Sequence, residues 1–124
     1  MKSTASSIPD IAARCREVVV AVEERKGADL RILYLAEITS LADYFLICTG
    51  NSERQVQAIA EGIQERLKAG HVRPSHIEGY KPGRWILLDY GDFVVHVFDR
   101  ETRAYYGLDK LWADAPDVTQ EFAS

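Results

Sequence analysis

The first apolar pattern in the chain has a helical period. Ser7 is suited to cap a helix, with Asp10 in the first turn, and Gly27 is suited to follow the last turn. The pattern therefore predicts a helix over about Pro9 to Lys26. Five apolar residues recur at helical spacing and so share one face of it: Ile11, Cys15, Val18, Val19 and Val22.

Two apolar segments that follow favour strands. Leu30 to Ile38 alternates between two faces, and Tyr44 to Cys48 is continuously apolar, which suits a central strand covered on both sides. Ser52 and Gln55 then match a capping box, in which each side chain satisfies the other residue's free amide. They predict the start of a second helix, which Gly70 ends.

A β-hairpin dominates the second half of the chain. Its strands, Trp85 to Tyr90 and Phe93 to Phe98, are joined by Gly91-Asp92, and glycine in the first position of a two-residue loop suits a type II′ turn. A short strand is expected before the hairpin, around His76 to Glu78. After it we expect a helix from a capping Asp99 to about Tyr106, a helical turn over Leu108 to Trp112, and a loose tail after Ala115.

The two-residue loop fixes the hairpin register and gives the hairpin two unlike faces. Directly opposite residues, such as Trp85 and Phe98, point to the same side. One side is apolar and is expected to meet the core under the two helices: Ile86, Leu88, Tyr90, Phe93, Val95 and Val97. The other side, called the mixed face below, adds a carboxylate and an imidazole: Trp85, Leu87, Asp89, Val94, His96 and Phe98.

Two interpretations of the mixed face stay open. The C-terminal helix could cover it through Tyr105, Leu108 and Leu111. Alternatively, part of the face contacts another protein, since tryptophan and other aromatic residues are enriched at interface anchors. Both hold if the short helix covers only one end.

The composition fits a single soluble domain. With 124 residues, 47% of them hydrophobic, the chain can bury one core. We expect a flexible N-terminus over 1–8, one domain over 9–115 and a flexible tail over 116–124. The net charge of −4 argues against a broad nucleic-acid surface, so no direct sequence-specific nucleic-acid contact is expected. A basic protein partner is compatible with this charge.

The cysteines and the hydropathy pattern indicate a cytoplasmic protein. Cys15 and Cys48 are isolated in apolar surroundings, which favours buried free thiols in a reducing cytosol over a redox, zinc or disulfide site. No run approaches the ~20 apolar residues of a membrane span. Met1 to Ser7 lacks the apolar middle of a signal peptide, so we expect the cytoplasm, or an organelle stroma if a longer precursor exists.

The residue pattern predicts neither a catalytic nor a metal site. Gly50 to Ser52 lacks the lysine and the spacing of a P-loop, and Ser52 has no positioned base. Asp89 and Asp92 are the only close carboxylate pair in a strand context, but Asp92 falls in the turn itself. The histidines have no ligand spacing: His71, His76 and His96.

Two long blocks of the chain carry a resemblance to a known family. The first block is Ala42 to Ser52, then Gln55-Val56 and Ala58 to Ala60. The second is Glu78-Gly79, Trp85 to Asp92, Val95 to Phe98, Arg103, Tyr105-Tyr106, Leu108 and Leu111-Trp112. These blocks resemble the ribosomal silencing factor family, also called Iojap, and the match covers roughly Val18 to Trp112. Ala36 stands where the family usually has an acidic residue, and Asp109 where Glu is more usual.

The resemblance implies both a fold and a partner. The fold is α/β (α+β), a mixed central sheet flanked by helices, similar to nucleotidyltransferases but without their catalytic carboxylates. Family members bind the large ribosomal subunit through ribosomal protein L fourteen, block joining of the small subunit and repress translation when nutrients are scarce. They often form homodimers off the ribosome. No enzyme activity, cofactor or membrane contact is implied.

Together, pattern and resemblance predict a partner-binding site on the mixed face and the neighbouring loop. One rival hypothesis is a nucleotidyltransferase remnant that uses Gly50 to Ser52 as a phosphate cradle, and another is a pure dimerisation module. The residues expected to contact the partner, or to support those that do, are Tyr80, Arg84, Trp85, Leu87, Asp89, Asp92, His96 and Phe98.

Overall fold

The structure, a computed structural model, describes the backbone of residues 2–122 and the side chains of residues 11–122. Two strands lie between two helices in the first half of the chain, and a short strand, the hairpin and three short helices follow. The elements are α1 (Lys2–Glu24), β1 (Ala28–Tyr34), β2 (Tyr44–Gly50), α2 (Glu53–Ala69), β3 (His76–Glu78), β4 (Trp85–Asp89), β5 (Phe93–Asp99), α3 (Arg100–Tyr106), α4 (Leu108–Leu111) and α5 (Thr119–Phe122).

The five strands form one mixed sheet in the order β1-β2-β5-β4-β3. Strands β2 and β5 are parallel, and the other neighbours are antiparallel. The parallel pair lies at the centre, where both faces are covered, which explains the continuous apolar run of β2. The predicted α/β (α+β) architecture, a mixed sheet flanked by helices, is confirmed.

Helices α1 and α2 cover one face of the sheet and bury the larger core cluster. The apolar stripe predicted for α1 lies in this cluster, with Val18 fully buried. The Ser52 hydroxyl accepts from the Gln55 amide at 3.0 Å, as predicted for the cap of α2. The Gln55 side chain instead accepts from the amide of Asn51 at 2.5 Å, one residue before the expected position.

Helix α1 has different limits from those predicted. It begins at Lys2 and ends at Glu24, so Ser7 and Pro9 lie inside it and do not start it. The prediction relied on the preference of serine for the cap and of proline for the first turn, but residues 2–8 contain no glycine to stop a helix. The flexibility of residues 1–8 and the domain limits 9–115 stay predictions.

Strand β1 ends earlier than predicted. It stops at Tyr34 because the next amide, of Leu35, bonds to the carbonyl of Asp43 at 2.7 Å and closes the loop to β2. The amides of Ile38 and Thr39 then turn back to the Leu35 carbonyl at 2.9 and 3.0 Å. The alternation up to Ile38 therefore continues into a loop.

The prediction of a flexible tail over 116–124 is wrong for residues 116–122. The Tyr34 amide donates to the carbonyl of Pro116 at 2.9 Å, and the Val118 amide donates to the carbonyl of Ile32 at 2.8 Å. Phe122, in α5, is buried against Tyr44 with ring centroids 5.6 Å apart. These bonds and the burial of Phe122 hold the segment along β1, and they pair backbone groups on an otherwise open edge of the sheet. Residues 123 and 124 lie outside the described residues.

Candidate partner-binding surface

The hairpin of β4 and β5 has the predicted register. The pairs run from Asp89 opposite Val94, next to the turn, to Trp85 opposite Phe98 at the far end. Gly91 has a φ of +86°, a value that favours glycine, and its amide donates to the Asp89 carboxylate at 2.8 Å. The loop therefore fixes the hairpin as expected, and the Asp89 carboxylate helps to hold the turn.

The inner face of the hairpin meets the core under α1 and α2, as predicted. Ile86, Leu88, Phe93, Val95 and Val97 are all fully buried there. Tyr90 is partly buried beside them, stacked on Phe93 with centroids 4.9 Å apart. This face is therefore taken up almost entirely by the protein's own core.

The mixed face is covered along β5 and more open along β4. Val94 and Phe98 are buried in a second core cluster with residues of β1, β2 and the segment after α3, and His96 is buried beside Phe45 of that cluster. Trp85 and Leu87 are only half-buried at its margin. The protein's own segments therefore cover the β5 residues of this face, and contact of the half-buried β4 residues with another protein stays a prediction.

The cover of this face differs in detail from the expectation. Leu108 packs on the second cluster, but Tyr105 is 82% exposed and Leu111 is 72% exposed, so these two residues do not cover it. Trp112 and Ala115 complete the cover instead. The predicted role of Tyr105 and Leu111 as internal cover is wrong.

Four aromatic rings, called the aromatic ladder below, lead from the core to the surface. Phe98 stacks on Trp85 with centroids 4.8 Å apart, and Trp85 lies 4.9 Å from Tyr106. Tyr106 meets Tyr105 edge-on at 5.0 Å. Exposure rises along the ladder, from fully buried Phe98 to Tyr105. The ladder offers an aromatic surface that is anchored in the core, which is typical of interface anchors.

Sequence reasoning did not propose Tyr105 and Tyr106 as contact residues. Helix α3 lies against β5 and β2, and consecutive residues of a helix point about 100° apart. Two adjacent tyrosines therefore cannot both face the sheet, and this signal could have placed one of them on the surface. Tyr106 and Tyr105 line a groove of about 480 Å³ together with Trp85 and Arg84.

His96 lies under the ladder, and its ring is uncharged. Its Nδ1 atom accepts a hydrogen bond from the Nε1–H of Trp85 at 3.1 Å. Burial lowers the pKa of His96 to about 4, because the charged form would lose its hydration. The neutral ring therefore carries its proton on Nε2, for which the described residues offer no partner.

Three of the predicted contact residues lie away from the ladder. Tyr80 packs on the cluster under α1 and α2, and its hydroxyl donates to Glu61 on α2. Asp89 and Asp92 lie at the turn end of the hairpin; the four-residue step along β4 from Trp85 to Asp89 spans about 13 Å. The other five predicted residues lie in or beside the ladder: Arg84, Trp85, Leu87, His96 and Phe98.

The side chains of the suggested phosphate cradle are engaged in local structure. The Ser52 hydroxyl caps α2, and the Asn51 side chain accepts from Arg100 at 3.1 Å. Both cysteines are buried and free, and burial raises the pKa of each thiol to about 12, which leaves no thiolate nucleophile. Over residues 11–122, no three His, Cys, Asp or Glu side chains converge as a metal site.

None of the helices that the structure describes is both long and apolar enough to cross a membrane. The helix with the most residues, α1, carries charged side chains along its length.

Comparisons with known proteins identify the family and agree with the fold. The family model described as ribosomal silencing factor during starvation matches residues 8–124. The chain is 48% identical to ribosomal silencing factor RsfS of Halalkalibacterium halodurans over 83% of this chain and 88% of that protein, and 44% identical to RsfS of Bacillus subtilis over 82% and 86%. A crystal structure from Chromobacterium violaceum superposes with a TM-score of 0.79 at 38% identity, covering 82% of this chain and 84% of that one. The chain therefore belongs to the ribosomal silencing factor family.

Proposed function

We propose that this protein silences ribosomes in the cytoplasm by docking on the large subunit through ribosomal protein L fourteen. The bound protein blocks the joining of the small subunit and represses translation when nutrients are scarce. This role is steric and regulatory, and it needs no catalytic group or cofactor. The resemblance to the family suggests the partner, and the aromatic ladder suggests where on this chain the partner docks.

The observation that carries the proposal is the graded exposure of the aromatic ladder. Trp85 is half-buried, is fixed from below by Phe98, and leaves part of its ring next to the exposed Tyr105 and Tyr106. Rigid aromatic side chains give large contact area at a small cost in conformational entropy. Such residues at the centre of an interface supply most of its binding free energy.

Charge also supports a ribosomal partner. The chain carries a net charge of −4, and ribosomal proteins are commonly basic, so long-range attraction favours their encounter. Asp92 is exposed in the hairpin turn and is available to a lysine or arginine of the partner. The contribution of such rim charges is to the association rate more than to the final affinity.

Sedimentation with separated ribosomal subunits tests the proposal. Trp85→Ala is expected to weaken binding to the large subunit by ~2–4 kcal/mol, about 30- to 900-fold in Kd. Ile77→Ala is the matched control, because Ile77 is a partly exposed apolar residue on β3, outside the aromatic ladder. Unchanged co-sedimentation of folded Trp85→Ala would exclude the ladder as the docking site.

We also expect a homodimer off the ribosome, with the exposed Tyr105 and Leu111 as candidates for its contact. Sedimentation equilibrium of Leu111→Ser and the parent protein tests this expectation. If the variant and the parent associate equally, Leu111 is outside the dimer contact. A dimer that stays intact on the large subunit would show that dimerisation and docking use separate surfaces.

A further inference from the structure

His96 lies inside the sheet and contacts Trp85, the half-exposed anchor of the proposed docking surface. It sits on the central strand β5, between Ile47 of β2 and Leu87 of β4 in the strand register, and it is 3% exposed. Its Nδ1 atom is the acceptor for the indole N–H of Trp85, at 3.1 Å. The buried imidazole of His96 thus holds one edge of the half-exposed Trp85 indole.

The His96 ring is fixed by packing. The ring of Phe45 meets it edge-on with centroids 4.6 Å apart, and Phe98 lies nearly parallel to it at 6.2 Å. The imidazole therefore has little freedom to follow the indole, and the indole is oriented by the imidazole.

Stacking alone does not define the orientation of Trp85. Its neighbours Phe98 and Tyr106 contact the indole by their ring systems, at 4.8 and 4.9 Å between centroids. Contacts of this kind tolerate sliding and rotation of one ring over another, because they have broad geometric preferences. The hydrogen bond to Nδ1 is directional, and it fixes which edge of the indole points inward.

Histidine is also a costly residue for packing alone at this position. The Nε2–H group of His96 is buried and has no hydrogen-bond partner among the described residues. An aliphatic side chain would fill a similar volume without burying an unpaired donor. What an aliphatic residue cannot supply is the acceptor for Trp85.

We propose that His96 is a positioning residue, whose Nδ1 atom orients the Trp85 indole before the partner arrives. This inference rests on the proposed docking of Trp85 on the large subunit. An anchor that is ordered in advance loses less side-chain entropy on binding, so removal of the acceptor is expected to weaken docking by about tenfold. Burial keeps His96 neutral at physiological pH, so the acceptor is always present.

The test compares His96→Leu with His96→Asn, two side chains of nearly the same shape. Only asparagine places an oxygen acceptor near the position of Nδ1. In His96→Leu we expect the Trp85 indole N–H to exchange faster with solvent by NMR, and Kd for large subunits to rise about tenfold. In His96→Asn both values should return to within about threefold of the parent protein.

A double-mutant cycle with Trp85→Phe separates positioning from a general structural effect. Phenylalanine keeps an aromatic ring but has no N–H, so His96→Leu should weaken docking no further in that background. Val97→Ala is the control for lost stability, because Val97 is buried on the opposite face of β5. It should lower the unfolding transition and leave Kd unchanged.

The outcomes distinguish this inference from the proposed function. If Trp85→Ala abolishes docking but His96→Leu does not weaken it, positioning by His96 is wrong and the docking surface stands. Equal weakening by His96→Leu in the parent protein and in the Trp85→Phe variant, or no rescue by His96→Asn, also overturns it. If Trp85→Ala docks normally, the proposed docking through Trp85 is wrong, and the role of His96 in positioning Trp85 falls with it. Should His96→Leu not fold, two measurements decide: the indole exchange and Kd of His96→Asn, and the Kd of Trp85→Phe, which has no indole N–H.

Discussion

Breaking the ion pair of Arg103 and Asp109 should loosen the segment that carries the exposed tyrosines. Arg103 donates two bonds to the Asp109 carboxylate, at 3.1 and 2.8 Å. It also donates to the Thr49 hydroxyl at 2.8 Å and to the carbonyl of Asp29 at 2.7 Å. One guanidinium thus joins α3 and α4 to β1 and β2. We predict that Asp109→Asn and Arg103→Met both destabilise the fold.

The magnitude follows from exposure and geometry. The side chains of Arg103 and Asp109 are 13% and 19% exposed. The pair is therefore intermediate between an exposed surface pair, worth ~0–1 kcal/mol, and a fully buried pair, whose disruption costs ~3–5 kcal/mol. We therefore expect a cost of about 2–3 kcal/mol for each single variant and a coupling free energy of about 2 kcal/mol. The pair of Arg84 and Glu53, at 3.3 Å, is the matched control.

Urea unfolding of the two single variants, the double variant and the parent gives the coupling free energy directly. The control pair is 68% and 56% exposed, so its cycle should give no more than ~0.5 kcal/mol. A coupling for Arg103 and Asp109 that equals the control value would refute the reasoning that this pair fastens α3 and α4.

The same pair predicts a pH dependence with a definite sign. Hydrogen bonds from Arg103 hold the pKa of Asp109 below its usual value. Because the folded pKa is lower than the unfolded value of ~3.9, the stabilisation is fully present above that value and is lost as the pH falls through the folded pKa. The difference in unfolding free energy between the parent and Asp109→Asn should therefore shrink below about pH 4.

Three further changes test other parts of the structure. Phe122→Ala should lower the unfolding free energy by ~2–4 kcal/mol in urea, because Phe122 is buried against Tyr44; a loss below ~0.5 kcal/mol would restore the flexible tail. Ser52→Ala should cost ~1 kcal/mol through loss of the α2 cap, while Ser40→Ala, at an exposed loop position, should cost almost nothing. Calorimetry with ATP and Mg²⁺ should give no heat, since Ser52 is engaged in capping; saturable heat that Ser52→Leu removes would favour the nucleotidyltransferase alternative.

The hairpin was predictable in full because its register depends on local information. A two-residue loop leaves one pairing, and the alternation of side chains then assigns every residue of β4 and β5 to a face. The apolar face was therefore correct residue by residue. The capped start of α2 at Ser52 was predictable for the same reason, since the capping residues are three apart.

The cover of the mixed face was not predictable because distant contacts decide it. The bonds of Arg103 to Thr49 and Asp29 span 54 and 74 residues, and they set how α3 and α4 lie on the sheet. Helical periodicity gives the faces of a short helix but not which face meets the sheet. The expectation that Tyr105 points inward failed for this reason.

The C-terminal segment escaped prediction for a related reason. Residues 116–122 have neither an apolar period nor a strand-like alternation. Their order comes from backbone bonds to the edge of β1, such as that from Val118 to Ile32, and from the burial of Phe122. The strand order places β1 at an edge of the sheet, where another segment can pair with it. The strand order depends on contacts between distant residues, so the local sequence does not predict it.

The most direct test of the central claim is the rate of subunit joining, followed by light scattering with separated large and small subunits. The parent protein and Ile77→Ala are predicted to suppress joining at the same concentration, whereas Trp85→Ala, shown to be folded by circular dichroism, should not suppress it until present at about 30-fold or greater excess. Equal suppression by Trp85→Ala and the parent, or joining that none of the three proteins slows, would contradict the account.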